Sequence, residues 1–173
     1  MKILCTGNPD DEKNIAHSIR KVFPDATFIS KSKGIDLTTV NGLLLFEHKV
    51  KNYNVFINSS YIGPGIQEKL LTITRNAWTT GHVFNIGSTV EYQTFNTNDT
   101  EYLESKLSLR NKSMELCRLD FKTTHMIVSG FKNNDPIANT IKWILSTDNA
   151  DFPIIGINDN QLSEEFIELW KNK

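Results

Sequence analysis

"NVFINSSYIGPGIQEKLLTITRNAWTTGHVFNIGS", residues 54–88, holds two short apolar runs at 55–57 and 83–86 with a helix-length segment between them. Each run is rich in Val, Ile and Phe and is closed by Asn, Ser or Gly, as expected of a strand covered on both faces. Gly63-Pro64-Gly65 breaks the chain after the first run, and residues 66–78 then read as a helix. Strand, helix and strand in this order is the repeating unit of a parallel sheet.

The same alternation extends outward in both directions. "KILC" (2–5), "ATFIS" (26–30) and "GIDL" (34–37) read as strands before it, with an amphipathic helix through Ile15, Ile19 and Val22 and an apolar, buried helix at 40–50. After it come a long helix from about Thr100 to Cys117, a strand at 125–130, a helix at 135–145, a strand at 152–157 and a closing helix at 163–170. The helix at 135–145 opens with Asp135 as an acidic cap and Pro136 at its first position. The pattern predicts a doubly wound α/β sheet of six to seven parallel strands with helices on both faces, in three layers. A chain of 173 residues fits one such domain, 1–173, without room for a second. In these sheets ligands bind beyond the carboxyl ends of the strands, so residues just after strands carry the information.

Bulk composition narrows the function. The 19 basic and 20 acidic residues nearly cancel, which argues against a nucleic-acid coat or a polybasic membrane anchor. No apolar run approaches a bilayer span, and the opening residues lack the apolar stretch of a signal peptide. Cys5 and Cys117 sit in apolar patterns and read as free thiols, so the expected setting is a reducing, cytoplasmic one. His17, His48, His82 and His125 have no metal-ligand spacing, and Trp78, Trp143 and Trp170 fall in helical patterns as core or interface residues.

Two residues on the long helix have a chemical reading. Tyr102 and Lys106 are four apart and share a helix face. A free phenol ionises near pH 10, and a neighbouring ammonium favours the phenolate, so the spacing can tune a tyrosine for general acid/base work. Ser88 ends the preceding strand and is placed to reach the same mouth. Tyr-x-x-x-Lys is also a common string on solvated helix faces.

Read in order, the chain resembles the short-chain dehydrogenases/reductases. The resemblance rests on "LCTG" (4–7), "IDLT" (35–38), "NVFINSSYIGPG" (54–65), "VFNIGS" (83–88), "YLESK" (102–106), "IVSGF" (127–131) and the helix and strand "IANTIKWIL…FPIIGIND" (137–159). It implies Tyr102 as general acid/base, Ser88 as the group that positions the substrate oxygen, and Lys106 as the cation that lowers the tyrosine pKa and holds the nicotinamide ribose. It implies a cofactor site from Thr6, Gly7, Asp36, Leu37, Asn58, Ser59, Lys106, Ser129 and Gly130. The implied cofactor is NAD or NADP, with Lys31 and Lys33 as candidates for a 2′-phosphate or simply a solvated loop. The implied partners are a small carbonyl or alcohol substrate and further copies of the chain, as a homodimer or homotetramer. Leu107, Leu109, Met114 and Leu116 form a candidate face for that contact, or pack against the sheet.

The chain departs from the family in its cofactor loop. The family's Thr-Gly-x-x-x-Gly-x-Gly becomes "TGNPDDEKNIA" (6–16), in which only Gly7 remains and Asp10, Asp11 and Glu12 enter. Acids suit a helix start but repel a diphosphate; they are expected to point outward, with Lys13 compensating, or the loop no longer holds a dinucleotide. "FKNND" (131–135) stands where the family inserts a substrate lid. Gln67 and Asn76 are possible occupants of a proton-relay position. Two functions remain: a compact NAD(P)-dependent oxidoreductase, or a non-catalytic relative that senses nucleotides or binds proteins.

Overall fold

A computed structural model of the chain describes residues 1–92, 100–129, 134–147 and 152–157. Its elements run β1 (Ile3–Thr6), α1 (Ile15–Val22), β2 (Thr27–Ile29), α2 (Val40–Val50), β3 (Val55–Asn58), α3 (Ile66–Ala77), β4 (His82–Ile86), α4 (Thr100–Cys117), β5 (Thr123–Val128), α5 (Asp135–Ser146) and β6 (Ile154–Ile157). The strands form one sheet in the order β2-β1-β3-β4-β5-β6, and every pairing is parallel. This is a Rossmann-like α/β fold.

Side-chain alternation along the strands builds the layers. Ile3 and Cys5 of β1 and Val55 and Ile57 of β3 face α1 and α5, where Ala16, Ile19, Ile137, Ile141 and Ile144 close the core. Leu4 and Phe56 point to the opposite face, against Phe46 and Val50 of α2, Leu70 and Leu71 of α3, and Leu109 and Leu116 of α4. Each Val, Leu, Ile or Phe among them contributes roughly 1.5–3 kcal/mol by leaving water. A one-residue slip of β1 or β3 would exchange the two sets, so the register is strongly specified.

The chain leaves β1 for β2 at one edge of the sheet and returns to β3 on the other side of β1. The crevice at this reversal opens beyond the carboxyl ends of β1 and β3, where Thr6 and Asn58 stand.

Three expectations are corrected. Residues 34–37 are not a strand: Gly34 adopts φ 86, and the Asp36 carboxylate accepts from the Thr38 amide (3.0 Å) and hydroxyl (2.6 Å), folding the segment into a turn. Helix α2 is only half buried; Gly42, Phe46 and Val50 face inward, while Val40 and Leu44 are 75% and 58% exposed. Asp135 does not cap α5 from outside. It lies within the helix, and its carboxylate accepts from the Ser18 hydroxyl of α1 at 2.7 Å. Leu109 and Leu116 pack in the core, whereas Leu107 and Met114 are half-buried. Cys5 is buried, and neither cysteine forms a disulfide. Trp78 is buried and donates to the Val50 carbonyl (2.8 Å), while Trp143 is half exposed beside Phe152. The helix expected at 163–170, with Trp170, lies outside the described residues. No helix among the described residues is long and apolar enough to cross a membrane.

Candidate functional site

A cavity of about 420 Å³ opens at the switch point. It is lined by Thr6, Gly7, Asp36 and Leu37, with Asn14 and Ser60 beside them. Four of the expected cofactor residues therefore share one wall system. Its position follows from β1 and β2 ending together: Thr6 pairs with Ile29 across the sheet, and the Gly7 amide donates to the Ile29 carbonyl at 2.8 Å.

Gly7 is required by its surroundings. Its φ is 128°, and a Cβ would stand 2.7 Å from Asn14 Oδ1, 2.8 Å from Ala16 Cβ and 3.0 Å from Ser60 Oγ. The chain thus passes tightly between the start of α1 and the loop after β3. Asn14 caps α1: its Oδ1 accepts from the Ala16 amide at 3.0 Å, and its carbonyl accepts from His17 at 2.9 Å. The helix end that would face a phosphate in this fold already has a side-chain oxygen on it.

Asp10 of the acidic loop is neutralised, but by other residues than Lys13. Asp10 pairs with Arg20 and with Lys33, each at 2.7 Å, and the bonds from Lys33 and then Arg20 hold its carboxyl below the usual carboxylate range. Asp11 receives the Lys13 backbone amide at 3.0 Å. Lys31 reaches Asp36 at 3.1 Å. Hydrogen bonds from Thr38, then Lys31, lower the Asp36 pKa to about 2. Both lysines proposed for a 2′-phosphate are therefore engaged with carboxylates, Lys31 on the cavity wall and Lys33 on Asp10.

The Tyr–Lys pair stands at the end of β4. Lys106 is 2% exposed and donates to Gln67 Oε1 (2.7 Å) and to the Ile86 carbonyl (2.8 Å). Burial pushes its pKa down to about 8, with the Glu91 charge acting in the opposite direction. The ammonium lies 5.4 Å from the Tyr102 ring centre and 5.8 Å from that of Tyr61, and the two rings meet edge to face at 4.8 Å. Gln67 is buried on α3; besides accepting from Lys106, it donates to the carbonyls of Asn58 (2.8 Å) and Ile86 (3.4 Å). The two candidates for the relay position separate here, because it is Gln67 that touches Lys106.

Ser88 follows β4 by two residues. Its backbone amide donates to Glu91 Oε1 at 2.8 Å, its hydroxyl oxygen accepts from the Val90 amide at 3.3 Å, and its carbonyl accepts from the Glu91 amide at 3.1 Å. This is a capping box on the short helical turn Thr89–Tyr92. Sequence reasoning passed over Glu91, although Ser-x-x-Glu at 88–91 is the signal that finds it. Glu91 also meets His125 Nε2 of β5 at 3.0 Å, and both side chains are fully buried.

The remaining expected residues lie elsewhere. Asn58 is buried beneath the crevice, donating to the Gln67 carbonyl (2.8 Å) and to Asn85 Oδ1 (3.0 Å). The Ser59 hydroxyl donates to the Thr6 carbonyl, and its amide donates to Thr6 Oγ1 (2.9 Å), stitching β1 to the end of β3. Neither lines the cavity. Ser129 follows β5, with its amide 3.4 Å from the Ile157 carbonyl; Gly130 lies outside the described residues. Among the described residues no cluster of His, Cys, Asp or Glu could hold a metal ion.

No family model and no curated protein matches the chain. Solved structures do. The closed form of serine dehydrogenase complexed with NADP+ is 12% identical with TM-score 0.70, over 91% of this chain and 94% of that one. Serine dehydrogenase from Escherichia coli is 14% identical with TM-score 0.68, over 91% and 97%. A short chain dehydrogenase/reductase family protein is 10% identical with TM-score 0.68, over 91% and 95%. At these identities the likeness is one of fold, and across most of its length the chain has the fold of short-chain dehydrogenase/reductase structures.

Proposed function

We propose that the chain is an NAD(P)-dependent oxidoreductase of the short-chain dehydrogenase/reductase type, acting on a small carbonyl or alcohol substrate. The observation that carries this reading is the buried Lys106 ammonium at the end of β4, with the Tyr102 ring 5.4 Å away. In reduction the Tyr102 hydroxyl gives its proton to the substrate oxygen; in oxidation the phenolate takes it back. Ser88 orients the same oxygen by hydrogen bonding.

The switch-point cavity fits the nucleoside end of a dinucleotide, with Asp36 and Leu37 on its wall and Gly7 permitting close backbone approach. The nicotinamide of such a cofactor supplies or accepts the hydride. Lys106 would meet its ribose through a donor beyond those given to Gln67 and Ile86.

The test is thermal melting with NADH, NADPH, NAD+ and NADP+, followed by turnover on a panel of small carbonyls and alcohols. A dinucleotide at 100 times its Kd adds about 2.7 kcal/mol, or roughly 5–10 °C for a chain of this size. Tyr102→Phe should retain that shift and lose at least about a hundredfold in turnover. Equal turnover in the variant would refute the mechanism.

A second reading is favoured by the Asn14 oxygen on α1. In it the chain binds a nucleotide or a protein without catalysis. A melting shift without turnover on any carbonyl or alcohol would select it.

A further inference from the structure

We propose that Glu91 is a positioning residue for Ser88, held in place by His125 from β5 and Arg110 from α4. The proposal rests on the reading of Ser88 as the group that orients the substrate oxygen.

The Glu91 side chain is fully buried, and a buried carboxylate is costly unless its oxygens are all engaged. Here they are. Oε1 accepts from the Ser88 amide at 2.8 Å and faces His125 Nε2 at 3.1 Å. Oε2 faces the same nitrogen at 3.0 Å and lies 3.9 Å from Arg110 Nε. His125 Nε2 faces two carboxylate oxygens, which accept, so the geometry assigns a ring proton to Nε2; Nδ1 is buried with no hydrogen-bond partner among the described residues. Arg110 supplies the positive charge that matches the carboxylate.

A capping box alone would need neither of these partners. A four-residue helical turn exposed to water satisfies its first amides with solvent. Drawing Glu91 into the interior and bracing it from two other elements ties the Ser88 backbone to β5 and α4 together. Gly87 completes the arrangement. A Cβ on it would stand 2.3 Å from Glu91 Oε1 and 2.4 Å from His125 Nε2, so the pair packs directly onto the backbone that precedes Ser88.

The consequence falls on the serine side chain. With the amide on Glu91 and the hydroxyl oxygen accepting from Val90 at 3.3 Å, both ends of Ser88 are fixed. In the Val90 bond the hydroxyl oxygen is the acceptor, so that bond leaves the hydroxyl proton available to a substrate oxygen. Serine is then aimed before substrate arrives, which is how a positioning group contributes to rate.

The experiment is amide hydrogen exchange by NMR on the full chain, joined to steady-state kinetics. Glu91→Gln keeps the shape but removes the charge and sets an amide nitrogen against His125. It should speed exchange at Ser88 by about tenfold, with the β4 amides of Phe84 and Ile86 changing by less than about twofold. Gly87→Ala, which leaves the carboxylate chemically intact but displaces it, should do the same. His125→Gln retains a side-chain N–H donor and should stay within about threefold of wild type, whereas His125→Leu should match Glu91→Gln. In turnover, Glu91→Gln should lower kcat about tenfold or more with KM within about twofold. Unchanged Ser88 exchange in Glu91→Gln and Gly87→Ala overturns the proposal, as does a uniform rise across β4, which would mark a merely structural role. Absence of turnover in the wild-type protein, with the Ser88 exchange effect present in the two variants, refutes the proposed oxidoreductase, while the assignment of Glu91 as the anchor of Ser88 stands.

Discussion

Raising the pH from 7 to beyond 10 should stabilise the wild-type chain by about 3 kcal/mol relative to Lys106→Met. Lys106 is almost wholly removed from water, and burial lowers its pKa from 10.5 to about 8. A tenfold change in proton affinity corresponds to about 1.4 kcal/mol, so the difference between the folded and unfolded lysine amounts to about 3 kcal/mol. Between pH 8 and 10.5 the unfolded chain keeps the lysine proton that the folded chain has released. The unfolded state therefore binds more protons, and stability rises with pH across that window. Below pH 8 the full cost of the buried charge is present; above 10.5 it is gone.

Methionine matches the lysine chain in length and does not titrate, so the difference between the two proteins removes most of what other groups contribute. Urea unfolding at pH 7, 8, 9 and 10 measures it, with equal m-values as the check that the same surface is exposed. A difference that stays flat over this range would show that Lys106 titrates like a solvated lysine, and the description of its pocket would be wrong. The same titration has a functional edge. On the proposed function Lys106 acts as a cation, so its loss above pH 8 should lower turnover over the window in which stability climbs.

Gly7→Ala should destabilise the chain by about 1–3 kcal/mol in thermal or urea unfolding, because φ 128 and the three contacts under about 3 Å leave no room for a Cβ; a loss within about 0.5 kcal/mol would argue against that geometry. Asn14→Ala should lose about 1 kcal/mol of stability through its cap and, if a diphosphate settles on α1, should enlarge the melting shift produced by a dinucleotide; an unaltered shift would separate the cap from the ligand. Asp36 has its folded pKa lowered to about 2, so its contribution is complete above about pH 4 and fades as the pH falls through 2. The Thr38 amide resonance should follow that titration, and a midpoint near 3.8 would count against the turn.

Much of the fold was legible because parallel strands leave an unambiguous trace. Residues 54–88 read as strand, helix and strand, and β3, α3 and β4 fall on those segments. The errors have a local cause. Residues 34–37 carry the apolar content of a strand, yet Gly34 at φ 86 and the Asp36–Thr38 bonds bend them away. Composition reports hydrophobicity, whereas a two-residue side-chain bond decides the path of the backbone. Helix α2 misled in the same way, since Phe46 and Val50 reach the core while Val40, Leu44 and Leu45 stay exposed.

The site divides along a similar line. Spacing predicts that Tyr102 and Lys106 share a helix face, because that relation is contained within one helix. Nothing in that spacing distinguishes a solvated lysine from one lodged against Gln67 and the end of β4, since the acceptors come from 39 and 20 residues away. Depth is a property of the packing. It changes what the lysine does: burial lowers its pKa to about 8, whereas a solvated ammonium keeps its proton well above that. The same holds for Glu91. Its box with Ser88 is written in four consecutive residues, but the histidine that faces it arrives from β5, 34 positions later in the chain. The short-range half of each arrangement is therefore visible in the sequence. The long-range half, supplied by the parallel order of β3, β4 and β5, decides how deep each side chain lies and what it touches.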